Sequence, residues 1–228
     1  MTKILKFPKN YFEKQAWENK FYVCGIDEVG RGCLAGPLVV AAVILPQHTS
    51  YSLKDSKILT ESERETAYQW ITQNAWYSTA ILSHDIIDKI NIYQATLRAM
   101  KKAFIQLIEA LPFDFELIKY LVVDAMPLQI DLAYMHSQLE THYFPYGESI
   151  SKSIAAASIV AKVTRDQLMV KIDDVIPGFN LAQHKGYGTR EHINLIKQKG
   201  SSLIHRKSFL EGINKNELEL TKQQNIFV

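Results

Sequence analysis

Short apolar runs and longer periodic stretches alternate along this chain, and together they predict a mixture of strands and helices. Two runs rich in Val and Ile, residues 21–26 and 38–45, are typical of buried strands that pair with each other. Later strands are predicted at residues 75–82, at residues 118–123 and around Tyr143 and Phe144. This pattern predicts five strands spread over the first two thirds of the chain.

Helix signals lie between and after these strands. Thr60 followed by Glu63 forms a capping box that begins a helix ending near residue 73. Asn91 is predicted to cap a long amphipathic helix that reaches Leu111, just before a proline. Further helices are predicted over the alanine-rich residues 149–175, from Thr189 onwards and after Ser201. Three consecutive strands followed by alternating helices and strands indicate a mixed sheet flanked by helices in a single domain.

Composition narrows the class of protein. With 228 residues, of which 47% are hydrophobic and 22% charged, the chain is neither disordered nor of low complexity. It contains no apolar run of the roughly 18 residues that a membrane helix needs, and residues 1–10 lack the apolar segment of a signal peptide. Cys24 and Cys33 are too few for a disulfide scaffold. We therefore expect a cytoplasmic protein with no membrane partner, and a monomer by default.

Charge is unevenly distributed. The whole chain has 26 basic and 24 acidic residues, whereas residues 152–207 contain ten basic and four acidic residues. This asymmetry is consistent with a face that meets a polyanion, and it is equally consistent with an ordinary solvated basic face. Charge alone does not choose between them.

Four acids lie at or just beyond the ends of predicted strands: Asp27, Glu28, Asp124 and Glu148. Ligands collect at strand carboxyl ends in sheets with helical crossovers, and clustered carboxylates need cations to stay ionised. An all-carboxylate set selects hard ions such as Mg²⁺ or Mn²⁺. Because adjacent strand residues face opposite ways, the first two acids can serve one site only if the strand twists or ends there. The alternative is that they are solvated turn residues.

Ordered sequence blocks then carry a specific resemblance. The segment GIDEVGRG at residues 25–32 is followed by LAGP at residues 34–37. Further blocks follow at residues 55–57, 91–92, 123–126, 154–166 and 184–189. In this order they closely resemble ribonuclease HII, the type 2 ribonuclease H family. The resemblance implies an α/β ribonuclease H-like fold, with a mixed five-stranded sheet flanked by helices and additional C-terminal helices. It implies a catalytic domain at residues 21–210, an N-terminal extension at 1–20 and a C-terminal tail at 211–228.

The same resemblance implies an activity and a metal site. It implies an endoribonuclease that cuts the RNA strand of RNA–DNA hybrids and cuts 5′ to single ribonucleotides in duplex DNA, leaving 3′-hydroxyl and 5′-phosphate ends. Asp27, Glu28, Asp124 and Glu148 match or stand at the family's metal-ligating positions. We expect two Mn²⁺ or Mg²⁺ ions there, with Asp27 bridging them. Glu148 stands where the family usually has Asp, which bears on metal preference, while Cys33 and Ile58 are smaller departures.

Substrate contacts are expected from a glycine-rich turn and from basic residues. The turn Gly30, Arg31 and Gly32 would let the main chain approach a ribose 2′-hydroxyl, the group that distinguishes RNA from DNA. By resemblance Tyr187 packs on the sugar, although an ordinary loop aromatic is the alternative. Phosphate contacts are expected from Lys57, Lys162, Arg165 and Lys185.

Two other functions compete with this interpretation. Ribonuclease HIII would be expected to lack the arginine of the Gly-Arg-Gly turn and to carry a longer N-terminal extension, whereas this chain has Arg31. A non-catalytic nucleic-acid-binding module with the same fold would be expected to lose acids, whereas all four positions are acidic. The blocks therefore favour the type 2 enzyme.

Overall fold

The computed structural model describes residues 7–53, 56, 58–130 and 139–211. Lys57, one of the expected phosphate contacts, lies outside these residues. The strands are β1 (Tyr22–Val29), β2 (Leu38–Ile44), β3 (Trp76–Leu82), β4 (Ile118–Asp124) and β5 (Glu140–Phe144). The α-helices are α1 (Tyr11–Glu18), α2 (Glu61–Asn74), α3 (His84–Glu109), α4 (Lys152–Val175), α5 (Leu181–His184) and α6 (Arg190–Lys199).

One mixed sheet organises the strands in the order β3-β2-β1-β4-β5. Strand β1 is antiparallel to β2 and parallel to β4, and β4 is parallel to β5. Every residue of β2 is buried, as expected for a strand made only of Leu, Val, Ala and Ile. The predicted mixed five-stranded sheet flanked by helices is confirmed.

Capping residues begin the helices as their sequence patterns predict. Thr60 and Glu63 form the predicted capping box at the start of α2. Thr189 accepts a hydrogen bond from the main-chain N–H of His192 and caps α6. Asn91 interrupts α3 with a non-helical φ of 65°, and its Oδ1 accepts from Gln94 N at 3.0 Å. The predicted cap is therefore confirmed, although helical structure already begins at residue 84.

Strand β1 is longer than its apolar run. It continues to Val29 because its last residues still pair with β2, as far as Val29 opposite Val39. Its pairing with β4 stops earlier, at Ile26 opposite Val123. The apolar run at residues 21–26 therefore gives only part of the strand, and hydrogen bonding to β2 alone sustains the part that carries the two acids.

Helix α1 lies in a segment where the sequence shows no strong apolar pattern. Its buried face consists mainly of Phe12 and Trp17, together with the carboxylate of Glu13. Glu13 Oε1 accepts from Ser151 Oγ at 2.5 Å and from Ser153 N at 2.9 Å. A buried carboxylate thus caps the first turn of α4, where a helix has main-chain N–H groups without helical partners.

The chain folds as two compact units. Of the described residues, those within 7–29, 39–81 and 96–164 form the first unit, and those within 30–38, 82–95 and 165–211 form the second. The sheet lies mainly in the first unit, while α5 and α6 lie in the second. Among the helices that the structure describes, none is both long enough and apolar enough to cross a membrane. The expected boundaries at residues 20 and 210 stay predictions.

Candidate active site

Three elements of the first unit carry the four predicted acids. Asp27 and Glu28 lie near the end of β1, and Asp124 is the last residue of β4. Glu148 lies in a single 3₁₀ turn, Gly147–Ser149, after β5. Since β1, β4 and β5 run parallel, their carboxyl ends meet at the same edge of the sheet.

Asp27 is the electrostatic centre of this group. It is 5% exposed, and burial raises the pKa of its carboxyl well above the usual range. The nearby carboxylates of Glu28, Asp124 and Glu148 raise that pKa further by repulsion, while a hydrogen bond with Ser158 lowers it. The structure therefore brings all four predicted acids within electrostatic range of one buried side chain.

Hydrogen bonds fix the orientation of these carboxylates. The main-chain N–H of Gly147 donates to Asp124 Oδ1 at 2.7 Å, which ties β4 to the turn that carries Glu148. Ser158 Oγ, on α4, donates to Glu148 Oε1 at 2.5 Å. Asp124 and Glu148 are thus oriented by the polypeptide around them.

Ser158 is a site residue that sequence reasoning missed. In the sequence it closes an alanine run, a pattern typical of tight helix packing. In the structure its hydroxyl lies within hydrogen-bonding range of both Asp27 and Glu148, and it can donate its single proton to only one of them at a time. Its oxygen also lies 2.8 Å from Ser56 Oγ. The only signal in the sequence was one hydroxyl side chain within an otherwise apolar stretch of the predicted helix. Its role can be recognised only once the fold places β1 beside α4.

The donor set fits a hard divalent cation in its chemistry. Carboxylate oxygens are the ligands that Mg²⁺ and Mn²⁺ prefer, and positive charge would relieve the repulsion around Asp27. In the described residues no three His, Cys, Asp or Glu side chains are already arranged to hold a metal ion. Metal binding is therefore supported by the kind and charge of these groups rather than by a preformed ligand geometry.

The second unit contains the glycine-rich turn, which two buried arginines hold in shape. Gly30 has a φ of 92°, and a Cβ there would lie 2.2 Å from Arg165 Nε, so glycine is required. Arg206 donates to the carbonyl of Arg31 at 2.9 Å and to that of Gly36 at 2.9 and 3.1 Å. Burial lowers the pKa of Arg206 to about 10, which still leaves it charged at neutral pH.

The expectation that Arg165 contacts phosphate is wrong. Its side chain is fully buried, and its guanidinium donates to the carbonyls of Pro37 at 3.0 Å, Lys185 at 2.8 Å and Ala35 at 3.2 Å. All three nitrogens are occupied by loop carbonyls, so the side chain stabilises the turn instead. A basic residue on a helix is usually solvated, and nothing in the sequence shows that this one faces carbonyls.

Tyr187 and Lys185 lie on a second loop of this unit. Tyr187 pairs with Cys33, the residue after the glycine-rich turn, in an isolated antiparallel β-bridge. It is 38% exposed, and the guanidinium of Arg165 lies 5.7 Å from the centre of its ring. Burial, with a smaller contribution from Cys33, raises the pKa of Tyr187 to about 12. Lys185 donates through Nζ to the carbonyl of Ala182. Lys162 is half-buried on α4, in the first unit.

A mixed sheet that collects four carboxylates at one edge is suited to metal-dependent hydrolysis of an anionic substrate. The family profile described as Ribonuclease HII matches residues 24–211. The chain belongs to this family, which makes it a metal-dependent ribonuclease H that acts on RNA–DNA hybrids.

Relatives and solved structures agree with this assignment. A Ribonuclease HII of Listeria innocua is 44% identical over 190 residues, covering 82% of this chain and 67% of the relative. One of Acholeplasma laidlawii is 41% identical over 201 residues, covering 87% of this chain and 92% of the relative.

Two crystal structures show the same fold at lower identity. Ribonuclease H2 of Pyrococcus horikoshii superposes with a TM-score of 0.67 at 22% identity, over 86% of this chain and 98% of that one. Bst ribonuclease HIII in complex with Mn²⁺ superposes with a TM-score of 0.66 at 20% identity, over 91% of this chain and 73% of that one. The ribonuclease H-like fold is thereby confirmed.

Proposed function

We propose that this protein hydrolyses the phosphodiester bond on the 5′ side of single ribonucleotides embedded in duplex DNA, in addition to cutting the RNA strand of hybrids. The products would carry 3′-hydroxyl and 5′-phosphate ends. The observation that carries the proposal is the group of four acids at one edge of the sheet, three of which lie around the buried Asp27. Such a group is costly for the fold and is characteristic of a catalytic site.

Asp27, Glu28, Asp124 and Glu148 would hold two Mg²⁺ or Mn²⁺ ions. Bound there, they would supply the Lewis acidity that activates a water molecule and stabilises the charge of the departing 3′ oxygen. The chain's own part is orientation, because Gly147 N–H and Ser158 Oγ each hold one oxygen of Asp124 and Glu148. A neighbouring structure solved with Mn²⁺ supports the choice of ions.

Recognition of the ribonucleotide is proposed for the second unit. Gly30, Arg31 and Gly32 would approach the ribose 2′-hydroxyl through main-chain groups, which the buried Arg206 holds in place. Tyr187 would pack against the sugar at the junction, and its 38% exposed side chain has the freedom to do so. Lys57, Lys162 and Lys185 stay proposed phosphate contacts, and we withdraw Arg165.

The decisive experiment is cleavage of a DNA duplex that contains one ribonucleotide, with an all-DNA duplex of the same sequence as control. We expect a cut on the 5′ side of the ribonucleotide with Mg²⁺ or Mn²⁺ and none with chelator. A cut on the 3′ side, or cleavage that survives chelation, would refute the proposed reaction. The proposed monomeric state is checked by light scattering, and the proposed cytoplasmic location by cell fractionation.

Glu148 gives a second test, of metal preference. Its side chain is one methylene longer than the usual Asp, so we propose that it shifts preference towards Mn²⁺. Glu148→Asp should then raise the ratio of Mg²⁺-supported to Mn²⁺-supported cleavage. An unchanged ratio in a variant that still cleaves would count against this role.

A further inference from the structure

Three histidines in the second unit form a buried cluster that the proposed reaction does not use. The rings of His184 and His192 stack with centroids 4.2 Å apart, and the Nε2 atoms of His192 and His205 are 3.0 Å apart. His192 and His205 are 0% and 1% exposed. Every ring nitrogen has a protein partner, as the hydrogen bonds below show, so the cluster has no lone pair directed at a metal.

Main-chain partners determine which nitrogen of each ring carries the proton. The N–H of Ser202 can only donate, and it lies 2.9 Å from His205 Nδ1, so that atom is an acceptor. The proton of neutral His205 is therefore on Nε2, from which it is donated to His192 Nε2. Neutral His192 must then be protonated on Nδ1, which lies 2.9 Å from the carbonyl oxygen of Tyr187 and donates to it.

The result is a directional chain of hydrogen bonds that runs from Ser202 through His205 and His192 to Tyr187. It ends on the main chain of the tyrosine that we propose as the sugar contact. The Tyr187 carbonyl also accepts from Thr189 N at 2.8 Å. His184 supports the same loop from the other side, accepting from Gly186 N at 3.1 Å and lying 2.7 Å from the carbonyl of Phe179.

The groups around the chain keep it neutral. His205 faces His192, His184 and His84, and burial with these neighbours lowers the pKa of His205 to about 4. His192 faces His184, which lowers its pKa, and Glu191, which raises it. Burial dominates, so the pKa of His192 is also below its ordinary value. A proton added to His205 Nδ1 or to His192 Nε2 would turn an acceptor into a donor and break this series of hydrogen bonds.

We propose that His192 and His205 are positioning residues for Tyr187, and that their fixed tautomers hold the main chain of residues 185–189 so that the tyrosine ring meets the ribose. This inference rests on the proposed role of Tyr187 at the sugar. It assigns a role to two buried residues that belong neither to the acid group nor to the proposed substrate contacts.

The tautomers can be measured directly on the whole protein by ¹⁵N NMR of labelled histidines. At pH 7 we expect His205 and His184 protonated on Nε2, and His192 protonated on Nδ1, which is the less common neutral form. Finding His192 protonated on Nε2, or on both nitrogens, would overturn the proposal. This readout does not depend on activity or on any variant.

Two substitutions of His192 separate its two hydrogen bonds. The amide nitrogen of Asn occupies a place near Nδ1 and can still donate to Tyr187, whereas Gln places its amide near Nε2 and cannot. We therefore measure cleavage at a single ribonucleotide relative to binding of the same duplex. His192→Gln should lower this ratio about tenfold, the usual effect of losing one such hydrogen bond, and His192→Asn should lower it much less. Equal effects of Asn and Gln would overturn the proposal.

A double-mutant cycle separates failure of this inference from failure of the proposed function. Tyr187→Ala should lower the ratio by itself, and His192→Gln should then have no further effect. If Tyr187→Ala lowers cleavage and binding equally, the proposed role of Tyr187 fails. If Tyr187→Ala lowers the ratio and His192→Gln lowers it further by the same factor as in wild type, only the positioning role fails.

Discussion

Replacing Gly25 with alanine tests whether close packing of β1 against α4 builds the acid site. A Cβ at this position would lie 2.1 Å from the carbonyl carbon of Ser153 and 2.4 Å from the main-chain nitrogen of Ile154. These are main-chain atoms, so no side-chain rotation can relieve the clash. Asp27 lies two residues further along β1, and Ser158 lies five residues further along α4.

The magnitude follows from these distances. Carbon atoms normally pack about 3.5–4.0 Å apart, so strand and helix would have to separate by roughly 1.5 Å. Overpacking usually costs about 1–3 kcal/mol, and a clash between two main chains belongs at the upper end. For a chain of this length about 3 kcal/mol corresponds to a fall in Tm of roughly 6–12 °C. The same separation would stretch the hydrogen bond between Asp27 and Ser158, so cleavage should fall as well.

Thermal unfolding followed by circular dichroism measures the stability effect, with Gly32→Ala as the matched control. Gly32 has no atom within 4 Å of an added Cβ and is exposed, so its substitution should leave the Tm within about 1 °C of wild type. If Gly25→Ala unfolds at the same temperature as Gly32→Ala, the close approach of β1 and α4 is not a requirement of the fold.

Three further predictions concern single groups. Asp27→Asn should abolish cleavage. It should also raise the Tm measured in chelator at neutral pH, because burial and repulsion raise the pKa of Asp27 and its ionisation therefore opposes folding. A lower Tm would contradict this. Ser158→Ala should slow cleavage about tenfold or more. The control is Ser153→Ala, which removes a buried hydroxyl with no partner among the described residues and should leave the cleavage rate unchanged. Equal rates for the two variants would contradict this. His205 has a pKa of about 4 when folded and about 6.5 when unfolded, so its contribution to stability falls as pH drops through that window. Urea unfolding should show a loss of about 2 kcal/mol between pH 7.5 and 5 that His205→Asn removes, and an unchanged pH dependence in that variant would contradict it.

Much of the fold could be predicted because its signals are local. The capping box at Thr60 and the cap at Asn91 each depend on a hydrogen bond with the residue three positions further on, and the structure contains both. The fully apolar run at residues 38–44 is sufficient to predict a buried strand. The end of β1 could not be predicted in this way, because pairing with β2 carries that strand through two acids that interrupt its apolar pattern.

The acid cluster could be predicted as a set, whereas its supporting contacts could not. The four acids lie at strand ends, and that position is visible in the sequence. Ser158, by contrast, acquires its role through contacts with residues that are distant in the chain, such as Asp27. Glu13 is a similar case, since only the folded structure places its carboxylate at the start of α4.

The buried arginines show most clearly why a residue type alone misleads. The glycine-rich turn and the Tyr187 loop are irregular, so their carbonyls lack the partners that a helix or sheet supplies, and buried carbonyls require donors. The planar guanidinium has several donors in a fixed arrangement, which allows Arg165 to serve three separate carbonyls and Arg206 to serve two. A basic residue near such loops in a nuclease can therefore bind either a substrate phosphate or the protein's own main-chain carbonyls. Burial decides between them, and burial is a property of the fold that the sequence around Arg165 does not encode locally.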